Sequence, residues 1–172
     1  MSSLLTHASA RDATVADAAA CAAIYAPYVT DTCTTFEFTP PTASEMAERI
    51  TAAQREHAWI VLEDEECVIG YAYGGTFRSR AAYQATCEVS VYLDREQRGR
   101  GAGRALYEEL LPRLAKRGMR TAVACMTLPN DPSLALHRAV GFEDVGIMRG
   151  VGRKHGGWHD VAWAQLDLAP EG

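Results

Sequence analysis

Four segments of the chain carry the signals of helices, with alanine-rich or periodic apolar sequence between recognisable starts and ends. Two of them open with a capping box, in which a Thr and an acidic residue three positions later satisfy each other's free backbone amides. The boxes are Thr14 with Asp17 and Thr42 with Glu45. The predicted helices cover about residues 14–29, 42–56, 101–117 and 130–141.

Shorter apolar runs between these helices are typical of strands. In Cys87–Leu93 the side chains alternate, so that Cys87 and Val89 point to one face of a sheet and Glu88 to the other. Because strands and helices alternate along the chain, the fold class is α/β or α+β with a central mixed sheet. The predicted strands cover about residues 59–63, 67–76, 87–93, 121–126, 142–151 and 158–168, and residues 33–38 form a strand or a loop.

Length and composition are those of one globular domain. The chain has 172 residues, of which 48% are apolar and 23% charged, and no linker or repeat divides residues 1–172. The ordered core is expected from about residue 9 to residue 168. The net charge of −5 argues against nucleic acid as a partner, and no apolar run reaches the ~20 residues of a membrane span.

Further features favour a cytoplasmic protein without a metal. Leu4 and Leu5 have no charged region ahead of them, so the start of the chain does not resemble a signal peptide. Five widely spaced cysteines never form a CxxC pair, which favours reduced, mostly buried thiols. His155 and His159 lie on a glycine loop rather than a helix, so we expect no metal site there.

A glycine-rich loop with arginines lies between the strand that ends at Leu93 and the third helix. Backbone amides at a helix N-terminus attract anions, and glycines let the backbone approach a phosphate closely. The pattern GxGxxG is incomplete because Arg104 stands where its third glycine would be, and a tight turn with solvated arginines is the alternative interpretation. The loop residues are Arg98, Gly99, Arg100, Gly101, Ala102, Gly103 and Arg104.

This loop, between a strand and a helix, resembles the pyrophosphate loop of the GNAT acetyltransferases, which bind acetyl-CoA. The next helix agrees, since Asn130, Ser133, His137 and the pair Gly141-Phe142 match positions of that family. The resemblance implies a mixed, mostly antiparallel sheet flanked by helices, and acetyl transfer from acetyl-CoA to an amino group. It implies cofactor contacts from the loop and from Asn130, Ser133, Val91, Tyr92 and Leu93, the last three on a strand that parts from its neighbour.

Four stretches resemble one subgroup of the family, the phosphinothricin N-acetyltransferases, which includes enzymes for methionine sulfoximine and methionine sulfone. The most specific is Lys154–Val161, of sequence KHGGWHDV, and the others are residues 35–37, 78–83 and 128–133. The resemblance covers about Ser9 to Leu168. It implies a small anionic amino acid as substrate, and a homodimer, which is common in the family.

Acetyl transfer requires a neutral amine, so a base that takes up the amine's proton assists the reaction. Glu88 lies where the family places its proposed base, although alternation alone favours a surface glutamate. His137 lies where many members have a tyrosine that protonates the departing thiolate, and it either takes part in catalysis or only packs. Cys87 and Cys125 are possible nucleophiles in principle. Cys87 alternates onto the face opposite Glu88, and we expect direct transfer rather than an acetyl-cysteine.

The substrate contacts follow from the same resemblance. Arg78, Arg80 and Tyr83 match the subgroup's substrate loop, and arginine suits carboxylate and phosphinate oxygens because its planar fork binds two at once. Phe36 matches an apolar wall, and Val161 lies near the site by the same match. Each arginine has the alternative interpretation of a solvated loop charge.

The sequence therefore predicts an acetyl-CoA-dependent N-acetyltransferase for a phosphinothricin-like amino acid. One alternative is an acetyltransferase for another amine or for a protein N-terminus. The arginine loop favours an anionic substrate over a polycation. A second alternative is a non-catalytic acetyl-CoA-sensing module, but a sensor would need the phosphate loop without Glu88 and His137.

Overall fold

Strands and helices alternate along residues 8–169, the part of the chain that the computed structural model describes. Leu4 and Leu5, on which the signal-peptide prediction rests, lie outside these residues. The predicted elements are present, with ends shifted by a few residues. The helices are α1 (Ala18–Asp31), α2 (Ala43–Glu56), α3 (Ala102–Lys116) and α4 (Asp131–Ala139). The strands are β1 (Ser9–Asp12), β2 (Trp59–Asp64), β3 (Cys67–Thr76), β4 (Thr86–Leu93), β5 (Thr121–Thr127), β6 (Glu143–Lys154) and β7 (Gly157–Asp167).

Within residues 8–169 the strands form one seven-stranded sheet in the order β1-β2-β3-β4-β5-β7-β6. The pair β4–β5 is parallel, and every other neighbouring pair is antiparallel. The parallel pair requires a crossover connection, which α3 supplies on one face of the sheet. The expected mixed, mostly antiparallel sheet is confirmed.

The two faces of the sheet carry separate cores. Leu106, Leu110 and Leu114 of α3 pack against one face, together with Cys87 and Val89 of β4. The other face packs against α1 and α2 through residues that include Ile50 and Trp59. Alternation in β4 therefore sends Glu88 to the α1–α2 side, as the sequence predicts.

Both capping boxes are formed. The Thr14 amide donates to the Asp17 carboxylate at 2.7 Å, ahead of a 3₁₀ turn that leads into α1. At α2, the Thr42 amide donates to Glu45 at 2.7 Å, and the Glu45 amide donates to the Thr42 hydroxyl at 3.2 Å. Among residues 8–169, no helix combines the length and apolar character needed to cross a membrane.

Two features differ from the sequence prediction, and one alternative is decided. The four-residue β1 is too short to show alternation, and its pairing with β2 identifies it as a strand. Residues 33–38, for which the sequence predicted a strand or a loop, form a loop. The prediction of mostly buried cysteines is wrong, because only Cys21 and Cys87 are buried among the described thiols, whereas Cys67 and Cys125 are exposed. Tertiary packing, not residue type, decides burial at those positions.

Candidate active site

The sheet opens between β4 and β5. The two strands pair only from Thr86 to Glu88 on β4, and beyond Glu88 they diverge. The backbone of Val91, Tyr92 and Leu93 therefore has no β5 partner, as the family resemblance implies for this strand. A cavity of about 50 Å³ lies in the opening, lined by Thr34, Val89, Ser90, Val91, Tyr92, Tyr107, Cys125, Met126, Asn130, Ser133 and His137.

The glycine-rich loop turns directly into α3. Gly99 and Gly101 have φ of 77° and 85°, a left-handed conformation that favours glycine, and Gly101 is the N-cap of α3. Gly103 faces Leu136 of α4, where a Cβ would come within 2.8 Å of the leucine side chain. The loop therefore presents the free amides of the α3 N-terminus, with room for an anion such as a pyrophosphate.

The loop arginines are held by neighbouring side chains. The Arg98 guanidinium lies 5.3 Å from the ring centroid of Tyr28. Arg100 makes an ion pair with Asp64 at 3.4 Å, and Arg104 pairs with Glu108, one turn along α3, at 2.8 Å. The alternative interpretation, a tight turn with solvated arginines, does not hold for Arg100, which is half-buried and paired with Asp64 at the end of β2.

Glu88 is half-buried where the two strands part. Its register partner on β3 is Gly75, which has no side chain to cover the carboxylate. The Cys125 thiol donates to Glu88 Oε1 at 3.2 Å. Although the residue as a whole is exposed, desolvation by the atoms packed around its sulfur, and then the nearby Glu88 charge, raise the pKa of Cys125 to about 12, so the thiol stays protonated at neutral pH. Burial also raises the pKa of Cys87 to about 12, in the core of the opposite face.

His137 is buried at the floor of the opening, with 4% of the residue exposed. Its Nδ1 lies 2.7 Å from the Ser133 carbonyl, and its Nε2 lies 2.8 Å from the Tyr107 hydroxyl. A carbonyl only accepts, so Nδ1 carries the proton and Nε2 accepts from Tyr107. Burial lowers the pKa of His137, which favours this neutral tautomer. The ring also packs edge-to-face on Phe142 at 5.1 Å.

Asn130 and Ser133 start α4 beside the same opening. Asn130 is the N-cap, and its side-chain oxygen accepts from the Ser133 amide at 3.3 Å. The cap holds both residues at the rim of the cavity, opposite the β4 backbone. Both residues therefore lie where a cofactor in the cavity would contact them, as the family resemblance predicts.

The predicted substrate loop follows β3 and packs back onto β7. The Phe77 ring meets Tyr83 at 5.6 Å and Trp163 at 6.2 Å, while the Arg78 guanidinium lies 4.9 Å over Phe77. Arg80 is exposed at the start of the 3₁₀ turn in this loop. A groove of about 540 Å³ runs beside Val123 of β5, the residue that pairs with Glu88. It is lined by Phe77, Arg78, Tyr83, Thr86, Thr121, Val123, Val145, Gly146, Ile147, Met148, Trp163, Ala164 and Gln165.

Phe36 and Val161 lie on the same side of the sheet as Glu88. Phe36 packs over Gly152 of β6, where any Cβ would overlap the aromatic ring. Val161 is buried on β7 and pairs with Thr127 of β5. Thr127 lies four positions along β5 from Val123, which pairs with Glu88. Of the three residues predicted in the substrate loop, Arg78 and Tyr83 line the groove and Arg80 does not.

Sequence reasoning missed two residues of this site. Trp163 stands two positions after Val161, so strand alternation could have identified it on the same face. Tyr107 is a buried helical residue thirty positions before His137, and no local pattern connects the two. Only the packing of α3 against α4 joins them.

The chain is similar to one protein family, to two characterised relatives and to a solved structure. Residues 11–163 match the family described as the acetyltransferase (GNAT) domain. The phosphinothricin N-acetyltransferase of Streptomyces viridochromogenes is 40% identical over 92% of this chain and 86% of its own length. The L-methionine sulfoximine/L-methionine sulfone acetyltransferase of Pseudomonas aeruginosa is 38% identical over 95% of this chain and 96% of its own length. The structure of a Sinorhizobium meliloti phosphinothricin acetyltransferase, solved with acetyl-CoA, is 42% identical in sequence and has a TM-score of 0.90. The match covers 95% of this chain and 89% of that one. The chain therefore belongs to the GNAT family of acetyltransferases.

Proposed function

We propose that the chain is a single catalytic domain that acetylates the amino group of a small anionic amino acid with acetyl-CoA. Phosphinothricin, methionine sulfoximine and methionine sulfone represent the substrate class, which the names of its relatives support. The observation that carries the proposal is the position of Glu88. It lies between the opening that leads to the α3 loop and the groove that Arg78 lines.

Acetyl-CoA supplies the acetyl group as a thioester. The substrate nitrogen forms a bond to the acetyl carbon, the carbon–sulfur bond breaks, and the thiolate departs. Glu88 accepts a proton from the amine, directly or through water. The free amides of the diverging β4 strand are suited to stabilise the carbonyl oxygen as it gains negative charge.

Direct transfer is favoured over an acetyl-cysteine. Both Cys87 and Cys125 have a pKa of about 12, and nucleophilic attack requires the thiolate. Cys125 is next to Glu88, but its thiol is protonated and donates a hydrogen bond to the Glu88 carboxylate. The thiol is a donor to the base rather than a competitor of the amine.

We propose that His137 and Tyr107 act as one unit at the thiolate end. Tyr107 donates to His137 and lines the same cavity. In this proposal the Tyr107 hydroxyl gives its proton to the departing sulfur, the tyrosinate left behind takes a proton from solvent, and His137 keeps its Nδ1 proton. The alternative, that His137 only packs, is supported by its burial against Phe142. A His137→Gln variant whose kcat equals that of wild type would favour the packing role.

The loop amides, with Arg98 and Arg104 beside them, are suited to the pyrophosphate. Asn130 and Ser133 at the cavity rim and the Val91–Leu93 backbone are suited to the pantetheine arm. Arg78 and Tyr83 are proposed to contact the acidic end of the substrate, with Phe36 and Val161 as apolar walls. Arg80, which is exposed, is proposed to attract the anion at the entrance.

A thiol-release assay with acetyl-CoA and a panel of amines tests the function. We expect turnover with methionine sulfone and phosphinothricin and none with spermidine. Turnover only with a peptide N-terminus would support the alternative acetyltransferase. Tight acetyl-CoA binding without turnover of any amine would support the sensing module.

Glu88→Gln tests the base. We expect kcat to fall by about 10²- to 10⁴-fold, because a general base contributes about that much. The KM for acetyl-CoA should not change. Glu143→Gln, an exposed carboxylate on β6, is the control. Wild-type activity of Glu88→Gln across about pH 6 to 9 would exclude this role.

The finer predictions on assembly and location are also proposals. A homodimer is supported by the apolar side chains that the edge strand β6 exposes, Val145, Ile147, Met148 and Val151. Light scattering on Ile147→Lys should then report a monomer where the wild type is a dimer. A cytoplasmic location is supported by five free thiols, which suit a reducing compartment.

A further inference from the structure

The chain contains two lysines among its 17 basic residues, and one of them is buried. Lys154, at the end of β6, is 2% exposed, whereas Lys116 at the end of α3 is exposed. Lys154 Nζ donates to the Val29 carbonyl at 2.6 Å and to the Thr35 carbonyl at 2.8 Å. Among residues 8–169, no carboxylate forms an ion pair with it.

An ammonium suits this position because its partners are carbonyls. Val29 lies in the last turn of α1, where the carbonyls have no partner within the helix and the helix dipole attracts a cation. Thr35 lies in the loop that follows. Burying a charge without a counter-ion is unfavourable by itself. The two hydrogen bonds offset that penalty while joining the end of α1 and the loop to the β6–β7 hairpin.

Thr35 is the central anchor of the Cys33–Phe38 segment. Its carbonyl accepts from Lys154, and its hydroxyl lies 2.6 Å from the hydroxyl of Tyr25 on α1. Two contacts from different elements therefore hold one residue of a segment that has neither helical nor strand hydrogen bonds of its own.

The neighbours of Thr35 face the site. Thr34 lines the cavity beside Tyr92. Phe36 packs over Gly152, and its ring centroid lies 6.3 Å from that of His159. The position of both side chains therefore depends on where the Thr35 backbone is held.

We propose that Lys154 is a positioning residue, which holds the Thr35 carbonyl so that Phe36 forms one wall of the amino-acid site. The proposal rests on the proposed function, since it assigns the wall to that substrate. Lys154 acts through the segment and touches neither substrate nor cofactor.

Lys154→Met tests the proposal because methionine has a similar length and no donor. Lys116→Met removes the other lysine and is the matched control. We expect backbone amides of the Cys33–Phe38 segment to exchange about tenfold faster in Lys154→Met, and those of β4 and α3 to be unchanged. The KM for methionine sulfone should rise by about tenfold with an unchanged KM for acetyl-CoA.

A double-mutant cycle with Phe36→Ala adds a readout that a structural role would not move. In the Phe36→Ala background, Lys154→Met should change the KM for the amine by less than about twofold. If Lys154→Met does not fold, Lys154→Gln, which retains amide donors without the charge, enters the same tests. Unchanged exchange in the segment, or equal increases in both KM values, would overturn the proposal. If the wild type acetylates no amine, the proposed function fails, and the exchange measurement still decides whether Lys154 holds the segment.

Discussion

At the scale of single residues, burial changes what the same side chain can do. His137 and His57 are both buried, and desolvation lowers the pKa of each from its ordinary value of 6.5. The unfolded chain therefore binds protons more readily than the folded protein near that pH. Neutral histidines are part of the folded state.

This difference predicts how stability depends on pH. The free energy of unfolding should be highest above pH 6.5 and should fall as the pH drops through 6.5 towards the lower folded-state pKa values. Urea titrations between about pH 5.5 and 7.5 measure the slope. We expect a smaller slope in His137→Gln and in His57→Gln, because each variant lacks one of the two histidines whose pKa is lowered. A wild-type slope in both variants would contradict the assignment.

Cys125 is exposed, but its surroundings, which include the Glu88 charge, raise its pKa to about 12. Because alkylation requires the thiolate, iodoacetamide at about pH 7.5 should label Cys125 slowly, and Glu88→Gln, which removes the nearby charge, should make the labelling faster. Peptide mass spectrometry over time gives the rate in both proteins. Equal rates in the wild type and Glu88→Gln would show that Glu88 does not protect the thiol.

At the scale of elements, two adjacent glycines of β3 serve opposite faces of the sheet. Gly74 faces α3, and a Cβ there would come within 2.6 Å of the Leu114 side chain. Gly75 faces the site as the register partner of Glu88, and its Cβ would meet only Tyr73, at 3.9 Å. One position is required for packing and the other for access.

Gly74→Val and Gly75→Val should separate these two requirements. Gly74→Val should lower the free energy of unfolding by about 1–3 kcal/mol through overpacking and leave KM unchanged. Gly75→Val should fold as well as the wild type, because valine favours strands, but it should raise the KM for the amine. Thermal unfolding and steady-state kinetics on both variants measure this. Loss of stability in Gly75→Val with normal KM would contradict it.

At the scale of the whole molecule, a net charge of −5 coexists with a local basic site at the α3 loop. Exposed charges interact less as salt increases. We expect the KM for acetyl-CoA to rise as ionic strength increases from about 0.02 M to about 0.3 M. Arg98→Gln should raise the KM at low salt and weaken its salt dependence, whereas Arg120→Gln, exposed after α3, should behave as wild type. A KM that is independent of salt would exclude an electrostatic contribution from the loop.

The sequence by itself determined the features that depend on neighbouring residues. The two capping boxes, the alternation that turns Glu88 away from Cys87, and the glycines at the start of α3 are recognisable because each involves contacts within a few positions. The order of these elements was enough to indicate the family. The short β1 and the exposed cysteines were missed because neither has a local pattern of this kind.

Only the tertiary structure decided which side chains meet. Cys125 reaches Glu88 across 37 positions, Tyr107 reaches His137 across 30, and Lys154 reaches Thr35 across 119. Each pairing depends on sheet order, strand register or helix packing, and a shift of one residue in a strand would turn its side chains to the other face. Most residues of the site could therefore be identified from the sequence, but their hydrogen-bond partners are determined by how distant elements pack.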